Sequence, residues 1–310
     1  MTAGNNKFTV KFRGVRGSHP SPGPGTVRYG GNTSCVEVRA GNHLILLDAG
    51  TGLVGLGNEM MKNHLPSKSE RQLTTMTILF SHTHHDHTQG FAFFKPAYLP
   101  TTTCYLFGPR LGGLELKEGL SAAMLSPYFP VALSELASVL NIRSLHETEI
   151  ILFEDSCSEP KVFNYYRDNH SQVPFQVCVR VMHSLAHPNG GVSVYRIEMD
   201  GKSLVYATDT EGYSGGDQKL IRFAKGTDLL IHDSQYMPED YVHGDMVVQG
   251  YGHSTVDMAA EVAVQAGAKR LALFHYDPLY DDSIIEKMEM KAQEIFKDSI
   301  ASREGLEIEL

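Results

Sequence analysis

The hexapeptide His82-Thr83-His84-His85-Asp86-His87 directly follows an apolar, β-prone run at residues 76–81, MTILFS. A short run of this kind is typical of a buried strand. His82 and His84 can converge on one cation, while Asp86 and His87 can hold a second. Imidazole suits zinc, copper, iron or nickel, and imidazole mixed with carboxylate suits hydrolytic zinc or manganese. A histidine-rich surface loop is the alternative, but a short run that follows a strand and includes a carboxylate favours a metal site.

Length and composition indicate a folded protein with a large core. The chain has 310 residues, of which 42% are hydrophobic and 20% are charged. Its four cysteines form no CxxC pair, and three lie in apolar or strand-like contexts, as is typical of reduced core thiols. No apolar run approaches the ~20 residues that a membrane span needs, and the N-terminus lacks the regions of a signal peptide. These features predict a cytoplasmic protein without a membrane partner.

The net charge of -9 at pH 7 limits the expected partners. Proteins bind duplex nucleic acids mainly through Lys and Arg side chains that neutralise phosphates. An acidic chain with 27 basic residues and no basic run therefore predicts no non-specific nucleic-acid binding. One phosphate could still bind locally, because bound metals supply positive charge that this count omits. The sequence leaves assembly into a homo-oligomer open.

Hydrophobic periodicity predicts mixed α and β structure. Residues 8–12 alternate apolar and polar side chains as a half-buried strand does, and residues 34–47 are predicted to form a hairpin. Further strands are predicted at residues 175–181, 192–197, 203–207, 229–232 and 271–274. Helices are predicted at residues 217–224, 254–266 and 283–296. The second helix begins with a Ser254-x-x-Asp257 capping box and ends at Gly267.

The hexapeptide is similar to the HxHxDH signature of the metallo-β-lactamase superfamily. Four further stretches resemble that family's other motifs and keep its order along the chain. They are residues 44–50 (LILLDAG) with Asp48, 186–190 (AHPNG) with His187, 206–210 (YATDT) with Asp209, and 273–278 (LFHYDP) with His275. Each match alone is weak, but the set extends from about residue 8 to about residue 282 and together identifies the family.

This resemblance implies an α+β fold, a four-layer αββα sandwich that residues 1–310 form as one domain from two similar halves. Residues 91–145 depart from the sandwich, and we predict a helical insertion there. Within it, residues 114–125 carry apolar side chains at helical intervals, and two prolines then interrupt the pattern around Tyr128 and Phe129.

The resemblance also implies two divalent metal ions, zinc first, with manganese or iron as alternatives. His82, His84 and His187 would hold one metal, Asp86, His87 and His275 the other, and Asp209 would bridge them. Two cations ~3.5–4 Å apart lower the pKa of a bridging water and clamp the attacking and leaving oxygens. Asp48 would accept a hydrogen bond from a ligand imidazole and so fix its tautomer. His85, between the ligands, should point away.

His253, in the stretch Gly252-His253-Ser254-Thr255, precedes a predicted helix. The stretch resembles the phosphodiesterase branch of the family, which includes the tRNA 3′-end endonucleases and the bacterial cyclic-nucleotide phosphodiesterases. There the histidine touches a phosphate or protonates the leaving alkoxide, and a helix N-terminus favours an anion. Asp86 and His253 are thus the predicted catalytic residues; an ordinary turn histidine is the alternative for His253. For His232, in the run 229–234, a structural role is predicted.

Three short segments can line a substrate pocket. Tyr128 and Phe129 can form a lid or wall, although an insertion that only packs on its own domain would place them similarly. Residues 30–34 (GGNTS) and 16–18 (RGS) also match the phosphodiesterase branch. Asn32 and Ser34 can therefore line the pocket, or the two segments can merely form tight turns.

Three functions compete. The first is a two-metal phosphodiesterase that acts on a small or cyclic nucleotide, or on another small phosphodiester, through a metal-bridging hydroxide. The second is a lactonase, thioesterase or glyoxalase-like hydrolase of the same fold, which the Gly-His-Ser-Thr stretch does not favour. The third is a non-hydrolytic di-iron or metal-sensing protein, against which His84 and the complete ligand set argue. A tRNA-processing enzyme is disfavoured because no long, basic, Gly/Pro-rich arm is visible.

Overall fold

The computed structural model describes residues 7–64, 73–155, 157–170, 173–213, 215–243 and 247–310. Its strands form two sheets. The first contains β1 (Phe8–Gly14), β2 (Cys35–Ala40), β3 (His43–Leu47), β4 (Thr74–Leu79), β5 (Thr102–Gly108), β6 (Val139–Ser144) and β15 (Glu307–Glu309). The second contains β7 (Glu149–Phe153), β8 (Lys161–Asn164), β9 (Val177–Ser184), β10 (Val192–Met199), β11 (Lys202–Ala207), β12 (Leu229–Asp233), β13 (Leu271–Phe274) and β14 (Ser299–Ala301).

Both sheets combine antiparallel hairpins with a run of parallel strands. The strand orders are β15-β1-β2-β3-β4-β5-β6 and β14-β13-β12-β11-β10-β9-β7-β8. Strands β3 to β6 are parallel to one another, and so are strands β11 to β14. Because the carboxyl ends of parallel strands lie at one edge of a sheet, each sheet collects the residues that follow its central strands at a single edge.

The described part of the chain also forms α-helices. They are α1 (Gly52–His64), α2 (His85–Thr88), α3 (Leu116–Ala123), α4 (Gln218–Phe223), α5 (Pro238–His243), α6 (Val256–Ala266) and α7 (Asp282–Ile295). Leu53 and Leu116 pack with Ile78 on the outer face of the first sheet. The inner faces of the two sheets share one buried cluster, which includes Phe12 and Val194. The predicted α+β sandwich is confirmed.

Two helix starts show how the local sequence sets the boundaries. Asp217 caps α4, and its carboxylate accepts the backbone N–H groups of Lys219 and Leu220, which the start of a helix leaves unpaired. Thr255, and not the predicted Ser254, caps α6 by accepting from Met258 N–H, and Gly267 ends it in the left-handed conformation. Ser254 donates instead to the Thr210 carbonyl. Its hydroxyl is therefore used to hold two loops together.

The segment at residues 91–145 is more regular than predicted. Its helical part is α3, within the predicted residues 114–125, but the segment also supplies β5 and β6 to the first sheet. The run TTCYLFG of β5 is β-prone and half buried, which explains the strand. In the described part of the chain, no helix is long and apolar enough to cross a membrane.

Candidate metal centre

The site lies where the carboxyl ends of the two parallel strand runs meet. Asp48 follows β3, Asp209 lies two residues after β11, and His275 follows β13. All three have positive φ angles, 59°, 53° and 66° respectively. This left-handed conformation costs a non-glycine residue roughly 1–2 kcal/mol. Strain of this kind clusters at functional sites, where it turns side chains sharply inward at the strand ends.

Three histidines form the first ligand group, which we call the three-histidine cluster. The ligand atoms of His82, His84 and His187 all lie within 4.8 Å of one another. His187 Nε2 lies 3.2 Å from His84 Nδ1. Since His187 Nδ1 donates to the Gly252 carbonyl at 3.2 Å, its Nε2 carries a lone pair toward His84. A Cβ atom on Gly252 would lie 2.3 Å from His187 Nδ1, so only glycine permits this approach.

Two histidines and two carboxylates form the second group, the mixed cluster. Asp86, His87, Asp209 and His275 again place their ligand atoms within 4.8 Å of one another. Asp86 Oδ2 lies 3.1 Å from Nε2 of both His87 and His275. Asp209 faces both clusters: its Oδ2 lies 3.3 Å from His87 Nε2, and its Oδ1 lies 3.7 Å from His82 Nε2. One carboxylate thus spans the two groups.

The donor atoms fit metal cations. His87 Nδ1 donates to Asp48, and His275 Nδ1 donates to the Gln235 side-chain oxygen at 3.0 Å. In the neutral rings, the two Nε2 lone pairs therefore face each other at 3.2 Å, an arrangement that a cation relieves. His82 Nε2 is buried and has no hydrogen-bond partner among the described residues. A buried, unpaired imidazole nitrogen is costly unless a ligand satisfies it.

Electrostatics distinguish the two clusters. Burial, and next the neighbouring His87, lower the pKa of His82 well below its usual value. Burial also lowers the pKa of His84 and His187, so these imidazoles are neutral ligands. Burial acts in the same direction at His87, but nearby carboxylates, Asp86 foremost, outweigh it and raise its pKa well above the usual value. The mixed cluster therefore attracts positive charge more strongly than the three-histidine cluster.

Asp48 is the hub of a buried hydrogen-bond network behind the mixed cluster. Its Oδ2 accepts from His87 Nδ1 at 2.8 Å, from Ser81 Oγ at 2.7 Å and from the Tyr206 hydroxyl at 2.7 Å. Its Oδ1 accepts from Ser81 N–H at 2.7 Å. Because a carboxylate only accepts, His87 must carry its proton on Nδ1, which leaves Nε2 for a cation.

His253 lies beside the clusters and is held by a carboxylate. His253 Nδ1 donates to Asp233 Oδ2 at 2.8 Å, and its ring stacks on His275 with the ring centroids 5.0 Å apart. Burial lowers the pKa of His253, but Asp233 outweighs it and raises the pKa to about 9. With Nδ1 occupied by Asp233, Nε2 is the ring nitrogen that remains for a substrate. His253 lines a cavity of about 450 Å³ together with His84 and Asp86.

The RGS segment reaches the site, whereas the GGNTS segment supports it from behind. Ser18 N–H donates to Asp86 Oδ2 at 2.8 Å, and Ser18 lines the cavity. Asn32 instead bonds Glu304 with its backbone and side-chain N–H groups. Ser34 is fully buried and donates to the Arg16 carbonyl. Among the described residues that line this cavity, neither Asn32 nor Ser34 is present.

The other residues singled out in the sequence lie in different places. Tyr128 and Phe129 line a second cavity. His85 is exposed and lines both cavities. His232 is buried in β12, where its Nδ1 bonds the Asp233 carbonyl oxygen.

The sequence analysis missed two acidic residues that hold the loops around Asp209, His187 and His253 in place. Asp233 accepts from Asp209 N–H at 3.0 Å and Ser254 N–H at 2.9 Å as well as from His253. Glu211 accepts from Gly250 N–H at 2.6 Å, Gly252 N–H at 3.0 Å and the Tyr241 hydroxyl. The position of Asp233 at the end of a buried strand was a usable signal. Glu211 lies in an irregular loop and gave none.

Comparisons with known proteins point to one protein family. The model of the β-lactamase superfamily domain matches residues 43–276. A Ribonuclease Z of Picrophilus torridus is 27% identical, over 97% of this chain and 95% of that protein. The metallo-β-lactamase fold protein YhfI of Bacillus subtilis has a TM-score of 0.64 at 16% identity, over 98% and 100% of the two chains. The short form of human tRNase Z has a TM-score of 0.60 at 20% identity, over 97% and 98%.

These findings confirm the predicted family and the predicted class, a metal-dependent hydrolase. They also require a correction. The prediction of a small-molecule phosphodiester substrate with no non-specific nucleic-acid binding is wrong, because a relative aligned along almost the whole chain is named a ribonuclease. The error has a physical cause: net charge is a sum over the whole surface, whereas a substrate meets one local face, where cations add charge that the sum omits.

Proposed function

The chain belongs to the β-lactamase superfamily, and we propose that it is a two-metal phosphodiesterase that cleaves RNA. One observation supports this most strongly. His253, held by Asp233, lines the same cavity as Asp86 and Asp209 of the ligand clusters. A positioned proton donor therefore stands beside a site built for cations.

His82, His84 and His187 would hold one cation, the mixed cluster would hold the second, and Asp209 would bridge them. When bound, the two cations supply Lewis acidity toward the phosphate and a nucleophile from water at neutral pH. The metal we propose is zinc, because imidazole with carboxylate is its usual ligand set, and manganese and iron are the alternatives. Ser18 N–H holds Asp86 in place from the cavity side.

As a proton donor, His253 would accelerate reactions that release a poor leaving group more than reactions that release a good one. Cleavage of an RNA phosphodiester releases a ribose alkoxide, which is a poor leaving group and gains ~10²–10⁴-fold from a proton donor. A thiolate, as released from a thioester, needs little protonation. The bond from His253 Nδ1 to Asp233 directs the remaining ring nitrogen to the substrate and stabilises the charged ring. This arrangement favours a phosphodiesterase over a thioesterase of the same fold.

RNA as substrate also fits the acidic composition. The Ribonuclease Z relative that aligns along almost the whole chain motivates the choice. The net charge of -9 does not count the bound cations, which would supply positive charge at the cleaved bond.

The test is an activity profile of the purified, zinc-loaded protein. We expect hydrolysis of RNA oligonucleotides, and little or none of lactones and thioesters. His84→Ala, which removes one ligand of the three-histidine cluster, should abolish RNA cleavage and serves as the control for contaminating nucleases. Turnover of thioesters or lactones with no cleavage of RNA would overturn the proposal, as would RNA cleavage that survives unchanged in His84→Ala.

A further inference from the structure

The short helix α2 presents two sides to two different cavities. Asp86 and His87 point inward to the mixed cluster. His85 and Gln89 are four positions apart, so they lie on one helical face, and both line a second cavity of about 190 Å³. His85 also lines the cavity of the metal centre. The second cavity therefore shares a wall residue, His85, with the site in which we propose that the phosphodiester is cleaved.

The walls of this second cavity, which we call the aromatic pocket, suit a flat apolar ring. Phe91, Phe93, Tyr128 and Phe129 all line it. Phe93 and Phe129 meet edge to face with ring centroids 5.4 Å apart, so Phe93 is held in a defined orientation. Phe93 is nevertheless 58% exposed and Tyr128 is 85% exposed. Large aromatic rings left in water beside a catalytic cavity are available to a ligand.

The polar groups of the pocket lie on the side of α2. Gln89 uses its amide N–H to bond Thr33 Oγ1 at 3.3 Å. No hydrogen bond to the Gln89 side-chain oxygen or to the His85 ring is found among the described residues. A ligand between the aromatic side chains and α2 would meet π faces on one side and hydrogen-bonding groups on the other.

We propose that the aromatic pocket binds a nucleobase of the RNA substrate, from a nucleotide next to the cleaved bond. This inference rests on the proposed function. An unpaired base has the required chemistry, a π face for the rings and a polar edge for His85 and Gln89. Because His85 lines both this pocket and the cavity of the metal centre, a base joined to the phosphate at that centre is the part of the substrate that would lie next to the pocket. The pocket would therefore select single-stranded nucleotides over paired ones.

The experiment measures kcat/KM on one RNA oligonucleotide whose cleavage position has been mapped. Versions of this RNA carry a single abasic nucleotide at each of the two positions that flank the cleaved bond. For the natural chain, we expect one of the two abasic positions to lower kcat/KM by about 5- to 100-fold, the range of base–aromatic stacking. Tyr128→Ala and Phe93→Leu should lose a similar factor on the intact RNA and almost nothing further on that abasic RNA.

Two controls separate recognition from damage. Tyr128→Phe keeps the ring, so its kcat/KM should fall at the same abasic position as that of the natural chain. Tyr166→Ala removes a tyrosine that is similarly exposed, 79%, outside both cavities, and should respond to the abasic positions as the natural chain does. Cleavage that ignores both abasic positions, or losses that multiply independently, would overturn the inference while leaving the proposed function intact. Absence of any RNA cleavage by the natural chain would overturn both.

Discussion

The two halves of the metal centre are built in opposite ways. The first half supplies its four ligands from within one run of six residues, 82–87, which follows one strand and leads into one short helix. The second half supplies His187, Asp209 and His275 from three separate loops. In the first half, Ser81 links the Asp48 network to both His82 and His87, and Ser18 N–H holds Asp86. In the second half each ligand has its own support: the Gly252 carbonyl, the Asp233 carboxylate and the Gln235 side chain.

This difference predicts how substitutions in each half affect the binding of the two metals. Ligands at the end of one strand and the start of one helix are placed together, because a single short stretch of backbone carries all four. Ligands on three loops must be placed by side chains that link the loops. We therefore expect second-half substitutions to disturb individual metals, and first-half substitutions to disturb the site as a unit.

The largest effect is expected at Asp209, whose carboxylate faces both clusters. Asp209→Ala removes the carboxylate that faces both clusters and leaves His82 and His87 without a shared counter-charge. Loss of one metal costs several kcal/mol of charge stabilisation, so RNA turnover should fall on the order of 10³-fold or more. Metal analysis of the purified variant should show fewer than two zinc ions per chain. Two retained ions with normal turnover would remove Asp209 from its bridging role.

His253 tests whether the second half also contributes chemistry that metals do not supply. His253→Ala should keep the metal content and lower cleavage of RNA by about 10²-fold or more. The loss should be much smaller on bis(p-nitrophenyl) phosphate, whose leaving group needs little protonation. Asp233→Asn should show the same leaving-group dependence to a smaller extent, because it removes the support and keeps the ring. Equal losses on both substrates would indicate phosphate binding instead of proton donation.

The same contrast explains how much could be predicted from the sequence. The apolar strands are local patterns, so periodicity could predict mixed α and β structure. The sandwich and the set of ligands followed from the resemblance of short stretches to the family's motifs. The supports of the second half could not. Glu211 and Gln235 matter because the fold brings residues 211, 250 and 252, or 235 and 275, together, and no local periodicity records such contacts. The strands β5 and β6 were also missed, since the helical pattern of α3 lies between them.

An intermediate effect is expected at Asp48, which supports the first half. Asp48→Asn places an amide N–H where His87, Ser81 and Tyr206 all donate. His87 can then lose its Nδ1 proton to Nε2, the nitrogen that faces the mixed cluster. Supports of this kind are worth ~10–100-fold in metal affinity. Tyr206→Phe removes one donor and keeps the carboxylate, so its zinc affinity should stay close to that of the natural chain; an equal loss in both variants would assign the effect to packing.

The smallest effect is expected at Glu211, which touches no proposed ligand directly. Its carboxylate clamps the Gly250–Gly252 loop, and the Gly252 carbonyl orients His187. In Glu211→Gln an amide N–H replaces one acceptor, so one of the backbone N–H groups loses its partner. Hydrogen bonds to charged groups contribute about 1.5–3 kcal/mol, but the loop connects this loss only partly to His187, so we expect roughly 3- to 10-fold weaker binding of one metal.

Stepwise calorimetric titration with zinc measures this loss, and His187→Ala identifies the phase that belongs to the three-histidine cluster. Tyr241→Phe removes one hydrogen bond to Glu211 and should weaken the same phase less. Because the Gly252 carbonyl orients His187, which is not part of the mixed cluster, the phase of the mixed cluster should stay unchanged in both variants. Weakening of both phases by Glu211→Gln would mean that the second half responds as a unit, and the contrast between the two halves would fail at its most sensitive point.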